Sequence, residues 1–255
     1  MYREERAKII SELLDKKGRV NVAELAHMFL VSEMTIRRDL KTLECQGLVQ
    51  KTYGGAVAAA NLPLVNEMHM YERMKLLADE KRRIANHIVR LIEPNEMIFL
   101  GSGTTTTFIA KALSFRTDIT VLTNALTVME ELATNANMTV IGVGGFLRRN
   151  EYSFYGHFTD AILHDLKVNK VIMGMRGIHP EFGLTSDFPQ EMHTDRLIIN
   201  TSKNVIIAAD QTKVGYIASS VLAPLTAASM IVTTKGVDPD CVQKIRSQGV
   251  KVEIV

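Results

Sequence analysis

The stretch FLGSGTTTT, residues 99–107, closes an apolar run at Leu100 and continues through Gly101, Ser102, Gly103 and four threonines into a helical pattern. These residue types suit anion chemistry. Glycines let backbone N–H groups approach an anion closely, hydroxyls add donors, and a helix N-terminus adds a favourable dipole. Ser102, Gly103, Thr104, Thr105 and Thr106 are therefore candidate phosphate contacts. The loop lacks the lysine and spacing of a Walker A sequence, and a dinucleotide fingerprint is absent. Other loops follow apolar runs in the same way: TNA with Asn124, GVGG with Gly144 and Gly145, and AADQTK ending at Lys213. Each alone reads as an ordinary turn or a solvated lysine. Together they line one edge of a sheet.

A second kind of chemistry is written in SEMTIRRDLKTLE, residues 32–44. Ile36, Leu40 and Leu43 recur at helical spacing, leaving Thr35, Arg37, Arg38 and Lys41 off the apolar stripe. Arginine bridges O6 and N7 of guanine, and a helix N-terminus such as that beyond Ser32 favours phosphate. The competing reading is a solvated salt-bridge network with Asp39 and Glu44.

The elements that must carry these residues follow from periodicity. EERAKIISELLDK places Ile9, Ile10, Leu13 and Leu14 on one helical face, and Gly18 ends that helix. Asn21 caps a second helix that buries Val22, Leu25, Ala26 and Phe29. A tight turn, LVS, leads to the third helix, which Gly47 stops, and LVQKTYGGAV turns at Gly54-Gly55 as a short hairpin. Three small helices and a hairpin make a winged helix-turn-helix. From residue 78 onward, seven short apolar runs alternate with amphipathic helices, which predicts a mostly parallel sheet covered on both faces. The expected division is 1–57 for the winged unit, 58–77 for a linker containing Pro63, and 78–255 for an α/β unit.

Composition narrows the class. The 255 residues are 46% hydrophobic, with a net charge of +2, and the whole basic excess lies within residues 1–60. No apolar run approaches the ~20 residues that a membrane span requires, and the charged YREERAKII after Met1 is unlike a signal peptide. Cys45 and Cys241 are far apart without metal-ligand spacing, consistent with small buried residues in a reducing cytoplasm. No metal or cofactor is expected.

VAELAHMFLVSEMTIRRDLKTLECQGLVQKTYGGA resembles the signature region of the DeoR family of bacterial transcriptional regulators, and the resemblance continues over nearly the full chain. It implies that the third helix reads double-stranded operator DNA through Ser32, Thr35, Arg37, Arg38 and Lys41. The hairpin, with Lys51 and Tyr53, would be the wing. The C-terminal part is similar to the family's effector domain, related in fold to ribose-5-phosphate isomerase and sensing phosphorylated sugars or derived metabolites. GSGTTT corresponds to its phosphate loop. Asn124, Gly144, Gly145, GLTS at residues 183–186, Glu191 and the DQTK ending at Lys213 match further pieces. Two positions depart from the pattern. Gly101 replaces the usual aspartate, and Arg176 stands where the family has aspartate. An acid-to-arginine change reverses local charge and adds an anion contact, unless Arg176 points outward or pairs with Asp187 or Glu191.

The expected function is thus a cytoplasmic repressor of a carbohydrate-utilisation operon, a homodimer or homotetramer responsive to a phosphorylated sugar. The alternative is a sugar-phosphate isomerase-like enzyme, with Asp210, Glu191 and Lys213 as candidate groups.

Overall fold

The computed structural model describes residues 6–7, 9–10, 13–14, 19–45, 49–52, 54–58 and 70–255. The chain divides into two compact units, Met1–Glu67 and Met68–Val255.

In the first unit the described residues between 6 and 14 are helical, and Ile10 and Leu14 are buried. Strand β1 (Arg19–Asn21) leads into helix α1 (Val22–Phe29), whose first turn is capped by the Asn21 side chain accepting from the Ala23 N–H. Leu30, at φ 53°, turns the chain towards α2 (Glu33–Cys45). Ser32 Oγ accepts from the Thr35 N–H at 3.3 Å, as an N-cap does. Val22, Leu25, Ala26 and Phe29 of α1 meet Ile36, Leu40 and Leu43 of α2 in one core. Strands β2 (Val49–Thr52) and β3 (Gly55–Ala58) form the expected antiparallel hairpin. Beyond expectation, β1 pairs with β3, making a three-stranded sheet. That pairing explains Gly55: a Cβ there would stand 2.1 Å from the Val20 carbonyl oxygen. Gly18, Gly47 and Tyr53 lie outside the described residues, as do the side chains of Lys51 and Cys45.

Residues 59–69 also lie outside the described residues, but the rest of the stretch read as linker does not. Met70–Lys75 is helix α3, and Met70 is fully buried in the second unit. The short run MHMYERMKLL carries apolar residues, but Pro63 and the change of composition before it read as a linker.

The second unit is built on seven parallel strands: β4 (Met97–Leu100), β5 (Thr120–Thr123), β6 (Thr139–Gly142), β9 (Lys170–Met173), β12 (Val205–Ala208), β14 (Met230–Thr233) and β15 (Lys251–Ile254). All seven apolar runs are these strands. Side chains alternate across the sheet: Ile98 and Leu100 join one core with Ile88 of α4 (Ala78–Val89) and Ile109 of α5 (Thr104–Leu113). Phe99 joins the other, with Ile198 of α8 (Met192–Asn200) and Ile245 of α9 (Pro239–Ser247). Helices α6 (Leu126–Leu132) and α7 (His157–His164) complete the cover. Periodicity does not reveal the hairpin β7 (Phe146–Arg148)–β8 (Ser153–Tyr155), or the small antiparallel sheet of β10 (Gly177–His179), β11 (Gly183–Ser186) and β13 (Ser220–Ala223). Strands of three or four residues without an apolar run leave no periodic signal.

The strand order, β15-β14-β12-β9-β4-β5-β6, decides where a ligand can enter. From β4 the chain winds outward through β5 to β6, and from β9 it winds the opposite way through β12 and β14 to β15. The order therefore reverses between β4 and β9. In open parallel sheets such a reversal opens a crevice beyond the carboxyl ends of the strands.

Candidate functional site

The loop after β4 lies at that crevice. The Gly101 N–H donates to the Ile172 carbonyl of β9 at 2.9 Å, so the loop leaves the sheet pinned to its neighbour. Gly103 then adopts φ 126° and ψ 167°, a combination open essentially to glycine alone. Its carbonyl accepts from the Thr107 N–H and from the hydroxyls of Thr106 and Thr107. No side chain caps α5. The N–H groups of the first turn, Thr104 to Thr106, have no partner within the helix by its geometry. The loop thus presents backbone donors, as expected, but the Thr106 hydroxyl is turned inward to Gly103 and only its N–H is available. Thr104 and Thr105 are nearly buried, 9% and 7% exposed.

Three basic residues from separate places in the chain share one electrostatic field with Asp210. Lys213 ends a 3-10 turn capped by Asp210, whose carboxylate accepts from the Thr212 N–H at 3.0 Å. Burial lowers the Lys213 ammonium below the ordinary lysine value; Asp210 opposes this, while Arg176 and Arg73 reinforce it. Lys81, in α4, is 4% exposed and donates to the carbonyls of Arg73 and Leu76. It too is lowered, chiefly by burial, with Asp210 opposing and Arg73 and Lys213 adding. Arg73, in α3, pairs with Glu151. Sequence reading singles out Lys213 but misses Lys81, Arg73 and Glu151, whose only signal is a basic residue within an amphipathic helix or a charged turn.

Other expected contacts have different tasks. Asn124 is 1% exposed and donates from Nδ2 to the Phe154 carbonyl at 2.9 Å, clasping β8 to the end of β5. Its Oδ1 is buried with no hydrogen-bond partner. Gly145 is a packing residue, since a Cβ there would meet Thr159 Oγ1 at 2.0 Å. Gly144 accepts from the Thr159 hydroxyl at 2.9 Å. Glu191, 3% exposed, pairs with Arg148, whose guanidinium stacks 4.0 Å from the Phe188 ring centroid. Nearby, burial raises the Asp195 carboxyl well above its usual range, with Glu191 and Glu151 adding and Arg148 opposing.

In the first unit, Ser32, Arg37, Arg38 and Lys41 are exposed and Thr35 is half-buried, hydrogen-bonded to Ser32 at 3.0 Å between hydroxyls. Arg37 makes only a loose contact with Glu33, at 3.4 Å with both side chains 54% exposed. Asp39 does not belong to that face. It is buried and accepts from Arg6 Nε at 2.8 Å, because one turn of α2 carries it round to the helix behind. Arg37 and Arg38 both lie on the exposed face of α2.

Comparison with known proteins agrees with both halves. A profile of the DeoR-like helix-turn-helix domain matches residues 6–61, and one of the DeoR C terminal sensor domain matches residues 77–235. The chain belongs to the DeoR family. A putative aga operon transcriptional repressor of Escherichia coli O157:H7 is 30% identical over 98% of this chain and 93% of its own. The lactose phosphotransferase system repressor of Streptococcus mutans is 32% identical over 84% of this chain and 85% of its own. Among solved structures, ribose 5-phosphate isomerase A from Methanocaldococcus jannaschii aligns over 54% of each chain at TM-score 0.40 and 14% identity, a level that says nothing of chemistry. This DeoR-family chain is a DNA-binding transcriptional regulator.

Its two departures from the family pattern have structural settings. A Cβ at Gly101 would stand 3.1 Å from Met173 Cβ, so an aspartate would require Met173 to yield. Arg176 donates from Nε to Asp187 at 2.6 Å and lies 5.6 Å from the Tyr216 ring centroid. Asp187 is held low in pKa; burial opposes the shift, and hydrogen bonds from Ser219 and Arg176 outweigh it. The reversed charge at position 176 is thus already matched within this DeoR-family sensor domain.

Proposed function

We propose that this regulator represses a carbohydrate-utilisation operon and that a phosphorylated sugar or related metabolite, held in the β4–β9 crevice, modulates its grip on double-stranded operator DNA. The uncapped first turn of α5 carries the reading. It sits at the point where strand order reverses, with Lys213 and Lys81 sharing the field of Asp210. Several short donors and a nearby cation are what a desolvated phosphate needs. Catalysis is not part of this reading. Glu191 pairs with Arg148 through Oε2, and Asp210 accepts from the Thr212 N–H and hydroxyl of its own turn. The place of action is the cytoplasm, with the operator; among the described residues no helix is long and apolar enough to cross a membrane.

A thermal-shift screen of phosphorylated sugars, followed by fluorescence anisotropy on DNA from upstream of the regulated genes, tests the proposal. The compound that stabilises the protein should also change operator affinity. A stabilising sugar phosphate that leaves operator binding untouched would remove the link.

On the DNA side, Arg37→Ala or Arg38→Ala should weaken operator binding by about 1–3 kcal/mol while the melting temperature holds. A base-reading arginine would also relax sequence preference, whereas a phosphate contact would flatten the salt dependence. Wild-type affinity in both variants would remove α2 from the interface.

One winged unit offers few contacts, and paired half-sites about one helical turn apart call for a homo-oligomer, dimer or tetramer. The second unit has apolar surface to spare: Phe146, Leu147, Phe158 and Ile162 are exposed, and Phe146 and Phe158 have ring centroids 6.0 Å apart. Light scattering at micromolar concentration should give a mass of at least two chains. A monomer that still binds its operator tightly would refute this.

A further inference from the structure

An acidic side chain already stands at the mouth of the anion cradle. Glu151 is 8% exposed, and its Oε1 lies 4.0 Å from where a Cβ at Gly103 would be, beside the uncapped first turn of α5. Its other oxygen, Oε2, pairs with Arg73. The turn that delivers Glu151 connects β7 to β8, and the next residue, Tyr152, is held at φ 54°, a conformation that side chains other than glycine rarely adopt. Surrounding structure must hold such a residue in place. Here the Leu126 N–H donates to the Tyr152 carbonyl at 2.8 Å, and the Tyr152 ring packs edge-on against Tyr71 of α3 at 5.4 Å. Two contacts, Arg73–Glu151 and Tyr71–Tyr152, therefore join α3 to this turn.

We propose that Glu151 is a built-in competitor for the effector's anionic group, and that binding transfers Arg73 from the Glu151 carboxylate to the phosphate. The inference rests on reading the start of α5 as the anion cradle. A helix N-terminus favours one anion, and the carboxylate near Gly103 holds that favourable ground in the unliganded protein. An incoming phosphate meets a like charge in a partly desolvated pocket, so the carboxylate must withdraw. Arg73 gains by the exchange, because a guanidinium fork binds phosphate through paired hydrogen bonds. The exchange reaches beyond the pocket. Arg73 lies on α3, the first described element after the boundary between the two units, and Lys81 holds the end of that helix by its carbonyls. Releasing Glu151 alters what α3 is fastened to, which gives the ligand a differential contact between two states.

Isothermal titration of the full chain with inorganic phosphate tests this. Glu151→Gln, which removes the charge and keeps the shape, should bind phosphate about tenfold or more tightly than wild type, as loss of a close like charge requires. Gly103→Val separates the two claims. If wild type and Glu151→Gln bind equally and Gly103→Val does not bind, the competitor is overturned and the cradle stands. If Gly103→Val binds as wild type does, both fall. Glu151→Gln failing to bind at all also overturns the competitor. Because that variant leaves Arg73 without its charged partner, hydrogen exchange on the wild-type protein supplies a reading free of mutation. Phosphate should slow exchange at residues 103–106 and speed it at residues 149–152. Any other pattern, including no change at either segment, overturns the proposal.

Discussion

Gly103→Val should yield a regulator that occupies its operator and no longer responds to its metabolite. A Cβ at this position meets nothing closer than Thr106 Oγ1 at 3.7 Å, so the effect does not come from crowding. It comes from the backbone. At φ 126° a branched residue is strained by roughly 1–3 kcal/mol, and the loop relieves that strain by turning its N–H groups away from the crevice. Several donors are lost together, each hydrogen bond to a charged group being worth on the order of 1.5–3 kcal/mol. Lys213→Ala removes one such contact and should weaken binding by about that single amount. Both positions lie in the sensor unit, outside residues 1–67, so operator affinity without ligand should stay near wild type. Isothermal titration with the inducing sugar phosphate, alongside operator binding with and without it, decides the matter. Unchanged ligand affinity in both variants would place the anion elsewhere.

Asp39→Ala should abolish operator binding by a different route, through loss of the fold. The carboxylate is 2% exposed and accepts from Arg6 Nε, itself in a side chain only 10% exposed. Removing it takes a buried carboxylate away from the Arg6 guanidinium, and breaking such a pair from one side costs about 3–5 kcal/mol. A unit of this size buries little core, so that loss is a large part of its stability. The melting transition of the DNA-binding unit should fall by roughly 15 °C or more, whereas Arg37→Ala leaves it in place. Circular dichroism melts of the two variants separate a residue that holds the helix from one that touches DNA. An unshifted melt for Asp39→Ala would mean that the Arg6 contact does not matter in solution.

Much of the fold is legible in the order of the residues. Val22, Leu25, Ile36 and Leu40 recur at helical spacing and form the core of the winged unit. The seven strands of the large sheet are the seven apolar runs, because a parallel strand covered on both faces must be apolar throughout. The site is legible only in part. Thr106 belongs to a helix start, as its neighbours predict, but its hydroxyl is spent on the Gly103 carbonyl. Hydroxyl direction depends on local backbone geometry that composition does not carry.

The sequence by itself determined the winged helix-turn-helix, the parallel sheet, the outward pair Arg37 and Arg38, and the glycine-threonine loop at a strand end. These follow from rules that act over a few residues: periodicity, capping and turn chemistry. Only the tertiary structure decided that the strand order reverses between β4 and β9. It also brought Lys81, far from Asp210 along the chain, into that residue's field, and gave Asp39 to Arg6 and Arg176 to Asp187. It set Glu151 beside Gly103 with Arg73 across from it. A charged residue in a sequence has many opposite charges it might meet. Which of them it meets is fixed by how strands are ordered and helices are laid across them, and that is a property of the whole chain.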